Sequence, residues 1–326
     1  MQLDRLRRGD WVGIACMAIG LGSLITVLEE GERKEWFGSP MIQHLAILAA
    51  IFIPAFVIIE LWHKEPFINL RLWARRGFAS ASFMGFVMGL GLYGTVYVLP
   101  VYLAQIQGYN ALQIGQVVMW LGLPQLAIFP LLPFVMWRTD PRLMVGFGLL
   151  LFAISCFMNS FLTHDWGIEQ LRWSQLVRAV GQPFIITPLS ALAAGSLPQR
   201  EQAGGSAIFN IMRNLGGSVG LAIIGTVIDR RTTFHTAMIR ESLTANSLVG
   251  QERLTSSAAN WFAQTGDMAY SKMRALGQIA SQIHMQATVI TYSETFYLLG
   301  IALLACVPLA LLLKTPRGPV APSAGH

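Results

Sequence analysis

Residues 41–62 read MIQHLAILAAIFIPAFVIIELW, a run in which His44 and Glu60 are the only ionisable side chains. A helix needs about 20 mostly apolar residues to cross about 30 Å of hydrocarbon, so this run is long enough to span a membrane. It is also much longer than the ~10-residue strands of a transmembrane β-barrel. The sequence therefore predicts a membrane-spanning helix here.

Similar apolar runs occur along the whole chain. Hydrophobic residues make up 54% of the 326 residues and charged residues only 12%, against about 25% charged in soluble domains. This composition excludes a soluble enzyme, a disordered chain and a secreted disulfide scaffold. It predicts an all-α integral membrane protein with about eight transmembrane helices, near residues 10–28, 41–62, 78–104, 112–137, 142–162, 172–196, 203–228 and 287–313.

The first run follows a basic start but has no small-residue cleavage site after it, so we expect a retained helix rather than a signal peptide. The cysteines, Cys16, Cys156 and Cys306, lie inside apolar runs, and their spacing indicates neither a disulfide framework nor a metal site.

The basic residues predict the orientation, because cytoplasmic loops are enriched in Lys and Arg. Placing both termini in the cytoplasm puts most basic residues of the termini and short loops inside. The segment 229–286 then becomes a long outer loop. In its stretch 271–279, apolar residues recur every three to four positions, which predicts a helix. That helix could lie on the membrane or protein surface, or dock a partner. The inner basic residues are Arg5, Arg7, Arg8, Lys64, Arg71, Arg75, Arg76, Arg138, Arg142, Arg200, Lys314 and Arg317.

Several polar and aromatic side chains lie within the predicted spans. Ionisable groups there are costly and tend to mark function. Together these residues predict a mixed polar and apolar cavity for bulky amphipathic or cationic compounds. Amides that join helices, interfacial aromatics and snorkelling arginines remain open alternatives. The cavity candidates are Tyr93, Tyr97, Gln116, Trp120, Arg178, Gln182, Asn210 and Arg213.

The sixth run contains Gly181, Pro183 and Pro188. Each proline removes a backbone hydrogen bond, so the sequence predicts a kinked or partly unwound helix. Broken helices form binding sites in transporters. A kink that serves only packing is the alternative.

Two glycine strings imitate catalytic motifs without their context. Residues 89–94 fit G-x-G-x-x-G and residues 216–220 fit G-x-S-x-G, but neither follows a strand. We interpret Gly85/Gly89 and Gly216/Gly220 as small-residue faces for close helix packing. The sequence offers no motif for hydrolysis, redox chemistry or ATP use, so we expect neither enzymatic activity nor a cofactor, and no nucleic-acid partner.

Several stretches, in this order, resemble the fourteen-helix drug/proton antiporters of the major facilitator superfamily, of the EmrB/QacA type. Single motifs are modestly specific, but together they cover nearly the whole chain. They are GDWVGI at 9–14, LEEG at 28–31, PVYLAQIQGY at 100–109, RTDPR at 138–142, QAGGSAIFN at 202–210, RNLGGSVG at 213–220 and YSETF at 292–296.

The resemblance implies two linker transmembrane helices in 1–77 and the six-helix C-terminal transporter half in 78–326. The six N-terminal helices of that family have no counterpart here, so we expect a truncated or split exporter. The resemblance also implies a bacterial inner membrane, proton-coupled export of drugs or amphipathic compounds, and a role in antibiotic resistance. Arg138, Asp140 and Arg142 would form the gating loop. Glu294 would be a proton-site candidate, with a structural hydrogen bond as the alternative.

The partners implied are a small-molecule substrate and protons, and the missing N-terminal half or a second copy. A periplasmic adaptor and an outer-membrane channel would complete the assembly. A second function also stays open: a non-transporting membrane remnant or scaffold that dimerises, because unmatched polar groups facing lipid would favour a symmetric partner.

Overall fold

The computed structural model describes residues 10–63, 68–242 and 248–313, and within them every regular element is helical. The prediction that both chain ends are cytoplasmic concerns residues outside these ranges. Six of the basic residues on which it rests also lie outside them: Arg5, Arg7, Arg8, Lys64, Lys314 and Arg317. The α-helices are α1 (Trp11–Glu30), α2 (Pro40–Trp62), α3 (Arg76–Gln105), α4 (Ala111–Arg138), α5 (Pro141–Asn159), α6 (Ile168–Gly181), α7 (Pro183–Gly195), α8 (Gln202–Ser242), α9 (Leu248–Thr265) and α10 (Met268–Leu311).

In the part of the chain that the structure describes, eight helical segments are long and apolar enough to cross a membrane. Seven are single helices, and α6 with α7 forms the eighth. Each of the eight overlaps one of the predicted runs, so the predicted all-α membrane fold is confirmed. Side-chain caps stabilise the starts of several helices. Asn110 and Gln113 form a capping box at the start of α4, and Asp140 Oδ1 accepts a hydrogen bond from Arg142 N at the start of α5.

Two helices are much longer than a membrane is thick. α8 has 41 residues and α10 has 44, which at 1.5 Å per residue gives each a length of about 60 Å. The segment 229–286, predicted as a loop with helical stretches, therefore contains the end of α8, the whole of α9 and the start of α10. Trp261 Nε1 of α9 donates to Gln278 Oε1 of α10 at 3.0 Å. We call this projecting part, residues 229–242 and 248–286, the helical hairpin.

Glycines bring α3 and α8 into backbone contact. A Cβ atom on Gly216 would overlap the carbonyl oxygen of Phe86, and one on Gly89 would overlap that of Arg213. A Cβ atom on Gly220 would collide with the backbone of Leu90. The predicted small-residue faces are confirmed, and they lie between the third and seventh spans.

The N-terminal helices pack on one another and reach the rest of the bundle through α8. Gly20 of α1 lies against the backbone of Ile53 in α2. At the other end of α1, Ser218 Oγ of α8 donates to Glu29 Oε1 at 3.0 Å. The division of the chain at residue 77 remains a prediction.

Gly216→Ala should destabilise the protein by roughly 1–3 kcal/mol, because the added methyl group forces two backbones apart. Gly204→Ala is the matched control: it is on the same helix, and a Cβ atom there would meet nothing within 4 Å. Thermal unfolding of both variants in detergent measures the difference. Equal unfolding temperatures would contradict the role assigned to this contact.

Candidate functional site

The sixth span is broken between α6 and α7, as the sequence predicts. Gln182 separates the two helices and Pro183 begins the second. Gln182 keeps helical backbone angles, φ −61° and ψ −46°, and its N–H still donates to Arg178 O at 3.0 Å. The break is therefore a kink rather than an unwound segment.

The kink packs closely against α5. Gly181 is buried, and a Cβ atom on it would press against Gly148 O and Leu151 Cβ. Pro183 and Pro188 are buried as well. The glycine and the prolines thus fit α7 to its neighbour in this structure, and the proposed role of the break at a binding site remains a prediction.

Arg178 is the most deeply buried of the predicted cavity residues, with 2% of its surface exposed. Its guanidinium Cζ lies 5.2 Å from the ring centre of Phe152 on α5. Within the described part of the chain, its Nε and Nη2 atoms have no hydrogen-bond partner and no carboxylate pairs with it. Such a buried cation is costly in a membrane protein, which favours a functional role.

The polar candidates form contacts between helices in pairs. Gln182 Oε1 accepts from Gln125 Nε2 of α4 at 3.0 Å. The hydroxyl of Tyr93 on α3 donates to Asn214 Oδ1 of α8 at 3.2 Å. Gln125 and Asn214, which the sequence also places within predicted spans, are therefore the partners of Gln182 and Tyr93.

The remaining candidates lie on more open surfaces. Asn210, Gln116 and Tyr97 are exposed, and Arg213 is partly buried. Trp120 on α4 lies beneath the guanidinium of Arg172, 5.5 Å from Cζ to the ring centre. The structure thus brings the candidates into separate contacts, α3 with α8 and α4 with α6 and α7, while Arg178 faces α5.

Glu294 of α10 meets two basic side chains of α8. Its Oε2 atom lies 3.1 Å from His235 Nε2 and 3.7 Å from Arg231 Nη1. Nearby, Thr232 Oγ1 donates to Thr291 Oγ1 at 3.3 Å. Both basic residues follow the seventh apolar run, so Glu294 lies toward the end of the bundle that carries the helical hairpin, away from the membrane centre.

His235 and Arg231 were missed because the predicted span ends at residue 228. Their spacing of four residues places them on one helix face, but only if the helix continues into the polar segment.

The predicted gating residues lie at the opposite end. The carboxylate of Asp140 caps α5, and the guanidinium of Arg138 lies 4.8 Å from the ring centre of Phe134. Arg142 is partly buried beside them. At this same end, Arg75 Nη2 and Glu201 Oε2 form an ion pair at 3.0 Å, which joins the starts of α3 and α8.

Glu32, in the turn after α1, has an altered acidity. Partial burial raises the pKa of its carboxyl group, and the negative charge of Asp229 on α8 raises it further. Gly225 provides the space that its carboxylate occupies.

Among the described residues, no three His, Cys, Asp or Glu side chains are grouped to hold a metal ion.

Residues 7–221 match the family described as the Major Facilitator Superfamily. The chain is 30% identical to the colistin resistance protein EmrB of Acinetobacter baumannii. The aligned region covers 90% of this chain and 56% of that protein. It is 27% identical to the multidrug export protein EmrB of Escherichia coli, over 96% of the chain and 60% of that protein.

The chain is also 27% identical to the fatty acid resistance protein FarB of Neisseria gonorrhoeae, over 94% of the chain and 59% of that protein. It therefore spans less than two thirds of the length of each of these relatives.

Glu32→Gln should stabilise the protein near neutral pH and weaken the pH dependence of its stability. Because the folded-state pKa lies above the usual value of about 4.3, the folded protein binds this proton more tightly. Stability therefore falls as pH rises from the unfolded-state value through the raised one. Unfolding temperatures from about pH 4 to about pH 8 measure this. Glu241→Gln, at an exposed carboxylate farther along α8, is the control, and identical pH profiles for the two variants would contradict the prediction.

Proposed function

This chain belongs to the Major Facilitator Superfamily, among relatives of the EmrB type, and we propose that it forms the C-terminal portion of a proton-coupled exporter of drugs or other amphipathic compounds. The family is one of membrane transporters rather than enzymes, in agreement with the sequence-based prediction. The resemblance inferred from the motifs is confirmed. Substrate, coupling and partners belong to the proposal.

The observation that carries the proposal is the set of polar side chains paired across otherwise apolar helices. Tyr93 with Asn214, and Gln182 with Gln125, offer hydrogen-bonding groups beside large aromatic and aliphatic surfaces. Sites for organic ligands typically have mainly apolar walls that carry a small number of polar groups. The relatives' names mention colistin, multiple drugs and fatty acids, which are compounds with both polar and apolar parts.

We assign the substrate path to the α3–α8 and α4–α6 contacts. Tyr93, Asn210 and Arg213 would contribute from one side, and Gln116, Trp120 and Gln182 from the other. Tyr97 would extend the aromatic wall. Arg178 faces α5 here, so its part in the path requires a rearrangement of α6. The kink at Gly181, Pro183 and Pro188 would be the hinge for it.

Proton coupling is assigned to Glu294 and its neighbours. A carboxylate that exchanges a proton also changes its attraction to the cations beside it. Protonation of Glu294 would weaken its contacts with Arg231 and His235 and so loosen α10 from α8. This would link proton binding to a movement between two helices.

The gate and the partners complete the proposal. Arg138, Asp140 and Arg142 would exchange ion pairs at the inner end as the transporter opens and closes. A six-helix N-terminal half would supply the facing half of the path. The helical hairpin would contact a periplasmic adaptor leading to an outer-membrane channel, and both chain ends would be cytoplasmic.

Gln182→Leu should reduce export by about fivefold, because it removes the hydrogen bond to the half-buried Gln125, and such a bond contributes about 1 kcal/mol. The test co-expresses the chain with a six-helix N-terminal half from one of the relatives and measures drug efflux. Gln282→Leu, an exposed position on α10, is the control. Equal efflux by both variants would refute the assigned path, and absence of efflux in the parent would favour the scaffold function.

Glu294→Gln should abolish stimulation of efflux by an inward proton gradient while substrate binding stays within about twofold, because only the proton-exchanging group is removed. The stimulation is measured as substrate transport into inside-out vesicles, with and without an imposed pH gradient. Glu252→Gln, at an exposed carboxylate of α9, should behave as the parent does. A pH-dependent efflux that survives in Glu294→Gln would assign the proton to another group.

A further inference from the structure

A shallow depression lies where α8 leaves its apolar run. Its volume is about 370 Å³, and it is lined by Val227, Arg230, Arg231 and Phe234. Spacings of three, four and seven residues place these side chains on one face of the helix. The depression thus combines two guanidinium groups with two apolar side chains.

Its depth matches the boundary between hydrocarbon and headgroups. Val227 lies in the last turn of the apolar run 203–228, and both arginines follow that run. Phe234, one turn beyond them, is 51% exposed. Val227 therefore lies on the membrane side of the depression, and the two arginines and Phe234 lie nearer the water.

The positive charge of the depression is incompletely neutralised. Arg231 shares Glu294 with His235 at 3.7 Å. Arg230 is exposed, and no carboxylate of the described residues lies within ion-pair distance of it. The neighbouring Asp229 faces the opposite side of α8, where Glu32 fills the space at Gly225.

We propose that this depression binds the headgroup of an anionic phospholipid. The lipid phosphate pairs with Arg230, an acyl chain follows α8 past Val227, and the part of the headgroup beyond the phosphate lies over Phe234. The volume falls within the range of small-molecule sites, and clustered arginines near a membrane surface attract anionic lipids. A neutral lipid lacks the net charge and free phosphate lacks the acyl chain, so neither satisfies both halves of the site. The inference stands independently of the transport proposal.

The test uses the purified 326-residue chain in neutral detergent, with lipid binding followed by native mass spectrometry. Phosphatidylglycerol should bind in preference to phosphatidylcholine. Arg230→Gln should weaken phosphatidylglycerol binding about fivefold, the share expected of one arginine at an anionic surface. Arg230→Lys should retain most of the binding because it retains the charge.

Arg240→Gln is the matched control, since it removes an exposed arginine from the same helix ten residues farther out. It should bind as the parent does. Equal binding of both phospholipids, or equal weakening by Arg230→Gln and Arg240→Gln, would overturn the proposal. Saturation by inorganic phosphate that blocks phosphatidylglycerol equally well would identify a simple anion site instead and would also overturn it. Thermal unfolding without lipid verifies that each variant is folded.

Discussion

The direct contact between the backbones of α3 and α8 sets the arrangement of the other helices. It exists because Gly89 and Gly216 have no side chains between the two helix axes. Lipid tails are as apolar as helix surfaces, so the hydrophobic effect does not drive two helices together within a membrane. Close van der Waals packing between the helices has to stabilise their association instead. Tyr93 lies one turn after Gly89, and its ring rests on Gly217. The same contact therefore aims the Tyr93 hydroxyl at Asn214.

Hydropathy was sufficient to predict all eight spans, because an apolar run of the right length has few other uses. It failed to predict the true ends of α8 and α10. Beyond the lipid, a helix is stabilised by its own hydrogen bonds and by contacts such as Trp261 with Gln278, and a hydropathy pattern records neither. The partners His235 and Arg231 of Glu294 lie in that unpredicted part of α8.

The sequence indicated which residues of the candidate site lie within the spans, but it did not indicate which neighbours their side chains contact. Composition indicates that Tyr93, Gln182 and Arg178 lie within spans, but the direction of a side chain depends on how each helix is rotated in the bundle. Gln182 faces Gln125, whereas Arg178, one turn earlier on the same span, faces Phe152. The kink at Gln182 then changes the direction of α7, and a single sequence gives no measure of that change.

The continuity of α8 has a mechanical consequence. From Gln202 to Ser242 the helix has no break, so it moves as one body over its length of about 60 Å. A tilt of about 10° about its centre displaces each end by about 5 Å, in opposite directions. The end of α8 at Gln202 is tied to α3 by Arg75 and Glu201, and its other end carries the helical hairpin. A tilt of α8 at one face of the bundle would therefore displace the helical hairpin at the opposite face.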